Sequence, residues 1–208
     1  MTDQLAFYFD ASACANCKAC QIACQDKNDL PYHLRWRRVV SYGGGGWVPH
    51  HTDKGVMVPD VFAYSISTAC NHCENPLCAD VCPSGAINKL SNGTVQIDAD
   101  KCIGCRYCEW ACPYGAPQFN EEIGVMTKCN FCVDLQAVGD NPACVDACVM
   151  RALDYGPLDE LKAKYGDQMV EPLPPADITN PGLVVTPHKH SQAVGSGTGK
   201  LMNLPEEV

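Results

Sequence analysis

The chain has 208 residues, 46% of them hydrophobic and 19% charged, with a formal net charge of −9. That balance offers nucleic acid no basic surface, and no stretch reaches the ~18–20 apolar residues that a membrane span needs. Sixteen cysteines in four groups of four dominate what remains.

In chain order, the opening MTDQLAFYFDASAC has neither the basic nor the apolar region of a signal peptide. Phe7-Tyr8-Phe9-Asp10 reads as a strand ending four residues before the first cysteine set, Cys14, Cys17, Cys20 and Cys24. Residues 26–61 follow, with Arg35, Trp36, Arg37, Trp47 and histidines, a content enriched at interfaces. Arg37-Arg38 lie beyond the first cysteines and read as a basic strand, not a twin-arginine export signal. Gly43 to Gly46 form no G-x-G-x-x-G pattern and read as a flexible turn. The second set is Cys70, Cys73, Cys78 and Cys82, followed by Pro83. Val95-Gln96-Ile97-Asp98 repeats the strand-to-aspartate entry before the third set, Cys102, Cys105, Cys108 and Cys112, which runs into Pro113. The fourth set is Cys129, Cys132, Cys144 and Cys148. Ala86-Ile87 and Ala152-Leu153 stand at one offset from Cys82 and Cys148, as short helices under a cluster would. Leu158 to Tyr165 suits a helix, and the Pro/Gly-rich tail from Pro172 looks too irregular for a core and long enough to embrace a neighbour. His188-Lys189-His190 sits in that tail and reads as surface. Gly199-Lys200 lacks the rest of a Walker loop, with Val194 and Leu201 at the required positions.

Cysteines in such numbers have four explanations. Disulfides suit a secreted chain, but thiols two residues apart, four times over, are poor bridging partners. Structural zinc uses two pairs and closes a tetrahedron, leaving the third cysteine at x2 and the fourth at x3 unexplained. Covalent haem needs C-x-x-C-H, and no such pair here is followed by histidine. The first and third sets read C-x2-C-x2-C-x3-C, the bacterial ferredoxin run, in which three cysteines hold one [4Fe-4S] cluster and the fourth reaches the next. Four such clusters would add about −8 to the formal charge, bringing the loaded protein to about −17.

Which sets exchange their fourth cysteines is less direct. Chain order would pair first with second, and Thr68 and Thr127, each two residues before a set, fit a duplication of that kind. The prolines favour nesting, because only the second and third sets carry Cys-Pro, while Gln25 and Val149 follow Cys24 and Cys148. On the nested scheme cluster a takes Cys14, Cys17, Cys20 and Cys148, and cluster b takes Cys24, Cys129, Cys132 and Cys144. Cluster c takes Cys70, Cys73, Cys78 and Cys112, and cluster d takes Cys82, Cys102, Cys105 and Cys108. Lys18, Lys101, Arg106 and Lys128, in or beside these loops, are candidates to raise cluster potentials. With four cysteines already in its set, His72 reads as a hydrogen-bonding or exposed residue.

CNHCENPLC, CPSGA, CIGCRYC, ACPYGAPQFN, MTKC, RALDYGPLDEL and the long tail together resemble the iron–sulfur electron-transfer subunits of anaerobic dimethyl sulfoxide reductases, within the complex iron–sulfur molybdoenzyme family. The resemblance implies an α+β fold of two nested, pseudo-twofold, bacterial-ferredoxin-like modules: residues 1–34 with 121–156 outside, 62–120 inside, an inserted docking region at 35–61 and a helix and extended tail at 157–208. It also implies four [4Fe-4S] clusters, no catalytic residue, and relay of electrons between a membrane quinol-reactive subunit and a molybdopterin catalytic subunit. The protein would lie peripheral to the membrane. A role for another molybdenum or tungsten enzyme and a free polyferredoxin are the alternatives.

Overall fold

The computed structural model describes residues 4–51 and 55–203, which include every cysteine. Residues 1–3, 52–54 and 204–208, parts of the expected outer module, docking region and tail, lie outside the described residues.

β1 (Leu5–Asp10) buries Ala6, Phe7, Tyr8 and Phe9 in succession, the pattern of a strand covered on both faces. It is the centre of a three-stranded sheet, antiparallel to β10 (Leu153–Pro157) and parallel to β11 (Leu183–Thr186). One face is capped by α6 (Leu158–Tyr165), whose Leu161 packs with Ala6, Tyr8 and Val184 while Tyr165 stacks on Tyr8 at 3.7 Å. Asp159 and Glu160 in its first turn and Lys162 and Lys164 in its last suit the helix dipole. The other face sends Phe7 and Phe9 into the main core with Ile66, Phe131 and five cysteines, Cys20, Cys70, Cys129, Cys144 and Cys148.

A second sheet pairs β2 (Arg38–Gly44) antiparallel with β5 (Phe62–Thr68) over seven positions, with β12 (Lys200–Leu201) on the free edge of β2. Between them the hairpin of β3 (Trp47–Pro49) and β4 (Met57–Pro59) projects, leaving Trp47 and Met57, with Val61 beyond the hairpin, exposed. Seven residues of the expected docking insertion, those of β2, are therefore core strand. Gly43 and Gly44 likewise belong to β2 and not to a flexible turn; the turn begins at Gly45, whose φ of +85° and 1.6 Å spacing from a built Cβ to the Asp60 carbonyl admit only glycine.

The tail departs from expectation in the same way. β11 is buried at Leu183, Val184 and Val185, and Leu173 joins the core, so from residue 172 the chain wraps its own body. A four-residue apolar run among prolines and glycines is too short to show periodicity, and its parallel partner lies more than 170 residues upstream.

The remainder is built from small units. Two hairpins, β6 (Ile87–Lys89) with β7 (Val95–Ile97) and β8 (Gln118–Asn120) with β9 (Val125–Thr127), alternate with short helices. These helices are α1 (Ala19–Lys27), α2 (Leu77–Asp80), α3 (Tyr107–Ala111), α4 (Val133–Ala137) and α5 (Ala143–Asp146). α1 packs on α5, and α2 on α3. Each cysteine set is entered from a strand, namely β1, β5, β7 and β9 in turn. The fold is a small mixed α/β one, and among the described residues no helix is long and apolar enough to cross a membrane.

Candidate metal centres

The aspartates that end the entry strands shape the loops. Asp10 Oδ1 accepts from the Ser12 and Ala13 N–H groups at 2.8 and 3.2 Å, and Asp98 Oδ1 accepts from Asp100 at 3.1 Å, so the chain turns just before the first cysteine. A second device is shared by all four loops. The residue immediately before the second cysteine has a left-handed backbone: Asn16 at φ 56°, His72 at 44°, Gly104 at 67° and Phe131 at 64°. Only one is glycine, so the other three each cost about 1–2 kcal/mol. A conformation of this kind turns consecutive N–H groups into a concavity suited to an anion, and the same strain at the same offset four times marks four cradles.

The fourth cysteines are held alike in three sets. The N–H groups of Ala86, Ala116 and Ala152 donate to the sulfurs of Cys82, Cys112 and Cys148, each four residues back, at 3.3, 3.5 and 3.2 Å. The short helices expected at Ala86-Ile87 and Ala152-Leu153 are therefore turns that deliver an N–H to sulfur and lead into β6 and β10. The first set differs because Gln25 lets α1 run on through Cys24, and Asn28 Nδ2 lies 3.7 Å from that sulfur.

Burial and charge group the thiols. Burial pushes the Cys14 thiol above its ordinary range, and the thiols acting on it are Cys20, Cys148 and Cys17. Cys24 is pushed up to about 12 by burial, with Cys144 and Cys132 beside it; Cys129 is raised by burial, then by Cys24 and Cys70. Cys78 rises to about 12 through burial, then Cys70, Cys112 and Cys73. Cys108 rises to about 11 through burial, then Cys102, Cys105 and Cys82. Across groups, Cys144 acts on Cys20 and Cys70 acts on Cys129.

Thiols desolvated this far give up protons only to a cation that takes their place. Among the described residues no three His, Cys, Asp or Glu donors converge on a single-ion position. A structural zinc would need sulfurs at ~2.3 Å from one point. Cys14, Cys17, Cys20 and Cys148 instead line one cavity, walled by Phe9, Val39, Ala152 and Leu153. All-thiol donors lining one apolar cavity, with the Ala152 N–H donating to the Cys148 sulfur, fit an iron–sulfur cluster.

The cations sort sharply. Lys128 is 4% exposed, and its ammonium donates to the carbonyls of Val95 and Cys129, close enough to favour the charged forms of Cys78 and Cys112. Arg106 and Lys101 are exposed and already paired, Arg106 to Glu109 at 2.7 and 3.2 Å and Lys101 to Asp98 at 2.9 Å. Their fields at a cluster are largely cancelled and screened. His72 is fully buried; its Nδ1 accepts the Val95 N–H at 2.9 Å, which leaves the ring proton on Nε2, and burial together with Lys128 keeps it neutral. His188 stacks on Tyr64 within the tail. Gly199 donates its N–H to the Tyr42 hydroxyl at 2.9 Å and cradles no phosphate.

The residue that sequence patterning placed wrongly is Arg37. Grouped there with a surface arginine–tryptophan segment, it is 2% exposed and points among the thiols of the first and fourth sets. Alternation could have hinted at this, since Trp36 and Arg37 must face opposite sides of the chain entering β2.

Residues 61–158 match the family description "4Fe-4S dicluster domain". Over its whole length the chain is 52% identical to the B subunit of the anaerobic dimethyl sulfoxide reductase of Shigella flexneri, with all of that protein covered. It is 38% identical to the thiosulfate reductase electron transfer subunit of Salmonella typhi, covering 77% of this chain and 79% of the relative. It is 35% identical to the formate dehydrogenase iron-sulfur subunit of Haemophilus influenzae, over 88% of this chain and 61% of that protein.

Proposed function

Because this protein belongs to the family of iron–sulfur electron-transfer subunits of anaerobic dimethyl sulfoxide reductases, we propose that it carries four [4Fe-4S] clusters in single file between a membrane quinol-reactive subunit and a molybdopterin catalytic subunit of that class. It is an electron-transfer subunit and not the catalytic one. Each cluster, when bound, supplies one reversibly held electron, and the protein's part is to space, insulate and tune these sites.

The observation that carries the reading is the grouping of thiols. Most members of each nested set act on one another, Cys20 with Cys144 and Cys129 with Cys70 couple neighbouring sets, and Cys14, Cys17, Cys20 and Cys148 line one cavity, which supports the nested sets. The packing of α1 on α5 and of α2 on α3 supports an outer module, 1–34 with 121–156, around an inner one, 62–120. Apolar side chains are exposed at both ends of the file. Ile103, Tyr107 and Trp110 surround the loop of cluster d, and Ile22, Val149 and Met150 lie by that of cluster a, beside the exposed Cys17. These ends, with the Trp47 hairpin, are the surfaces for the two partners, and the protein lies peripheral to the membrane.

Purifying the native complex through a tag on this subunit tests the reading. A molybdopterin subunit and a membrane subunit should accompany it, and dimethyl sulfoxide should reoxidise the reduced clusters. Isolation as a stable monomer that no such substrate reoxidises would overturn it.

A further inference from the structure

Arg37 is the one fully buried guanidinium, among the described residues, whose surroundings are thiols. Nη1 donates to the Ser67 hydroxyl at 3.1 Å, the guanidinium lies 4.5 Å from the centroid of the Phe7 ring, and Nε and Nη2 have no hydrogen-bond partner among the described residues. The thiols acting on it are Cys144, Cys20, Cys129 and Cys24, three of them in set b and one in set a. Its side chain is thus tied to one hydroxyl, one aromatic face and the Cys144 sulfur. A cation in such a place is retained only with anions beside it, and no carboxylate pairs with it among the described residues.

We infer that Arg37 is a shared counter-charge between clusters a and b, placed to raise the reduction potential of both and that of b most. This rests on the ligand sets proposed above. A cluster held by four thiolates would gain one further negative charge in its iron–sulfur core per electron accepted, and a fixed, fully desolvated cation beside it would favour the reduced form. Ser67 extends the effect, because its hydroxyl accepts from Arg37 and lies 3.5 Å from Cys20 sulfur. When Cys20 is a thiolate, that hydroxyl is the only possible donor of the two. Arg37 acts on electrons through potential alone and touches no substrate, so it is a positioning residue.

The test is a redox titration followed by EPR on the intact membrane-bound complex, with iron counted in each preparation. Arg37→Gln should lower two of four midpoints, one of them by a tenfold or greater loss in the reduction equilibrium, which is about 59 mV or more for one electron. Arg37→Lys, keeping the charge, should hold both near the wild-type values, and the exposed, paired Arg106→Gln should move none. If Arg37→Gln loses clusters a and b while Arg37→Lys keeps them, the same charge is shown to be needed for assembly, which also supports the inference. Unchanged midpoints in Arg37→Gln, equal shifts in both Arg37 variants, or cluster loss in both would each overturn it, since shape and not charge would then be at work. A wild-type complex lacking four signals would instead overturn the ligand scheme.

Discussion

Replacing Cys148 with serine abolishes or alters the cluster held by Cys14, Cys17 and Cys20, and leaves that of Cys129, Cys132 and Cys144 in place. Pairing by chain order makes a different forecast: Cys148 would complete the set of Cys102, Cys105 and Cys108 and not one that begins at Cys14. The fold reverses this because β10, which follows Cys148, is paired with β1, which precedes Cys14, through Phe9 opposite Leu153. That pairing brings Cys148 into the cavity that Cys14, Cys17 and Cys20 line. The Ala152 N–H then fixes the sulfur at 3.2 Å. The effect should be all or none for one cluster, since a thiolate lost from a buried four-ligand set cannot be replaced by water at 9% exposure. EPR of reduced complexes reads the result by comparison. The signal lost in Cys148→Ser should be that lost in Cys17→Ser; a match to Cys105→Ser or to Cys132→Ser instead would remove the nested scheme.

Removing the iron should unfold the protein and not merely empty it. Among the described residues no sheet exceeds three strands, and the longest helix, α1, has nine residues, below the ~12–15 at which isolated helices become even marginal. Eight of the sixteen cysteines are buried. Cys20, Cys70, Cys129, Cys144 and Cys148 are part of the main core, and Cys108 belongs to that of Ile87, Val95 and Met126. The clusters are thus the centre of the fold and not guests on it. A structural metal contributes on the order of 10 kcal/mol in small metal-dependent domains, against a total stability of about 5–15 kcal/mol for most domains, so loss of even one centre would be comparable with the whole. Buried Arg37 and Lys128 make matters worse, because without cluster charge each is a desolvated cation. Oxidative or chelating removal of iron followed by circular dichroism and proteolysis should show lost structure and cleavage throughout. A protease-resistant iron-free protein with native strand signal would show that the polypeptide core suffices.

The cysteine chemistry was open to reading because metal ligation requires both residue type and spacing, and neither depends on tertiary context. The strands entering the first and third loops were legible for a similar reason: Phe7 to Asp10 and Val95 to Asp98 carry local patterns and an aspartate that makes its own turn. Leu158–Tyr165, which the sequence suits to a helix, is α6 with the same bounds. What stayed hidden was whatever depends on distant partners. Arg37-Arg38 read as a basic strand, and β2 begins at Arg38, but their burial was hidden: Arg37 is enclosed by cysteines, and Arg38 Nη2 donates to the Tyr114 and Gly115 carbonyls. β11 could not declare itself in four residues, because its strand status comes entirely from β1. The left-handed residue before each second cysteine was invisible in principle, since Asn16, His72 and Phe131 share no side-chain chemistry with Gly104; the loop imposes the conformation.

Anaerobic determination of iron and acid-labile sulfide in the purified complex, with reduced spins counted by EPR after subtracting the partner's own centres, bears most directly on the central claim. This subunit should hold about sixteen iron and about sixteen sulfide, in four one-electron centres. A value of about eight of each, in two centres, would mean that only a dicluster unit such as the one matched at residues 61–158 is loaded, and would contradict a four-cluster file.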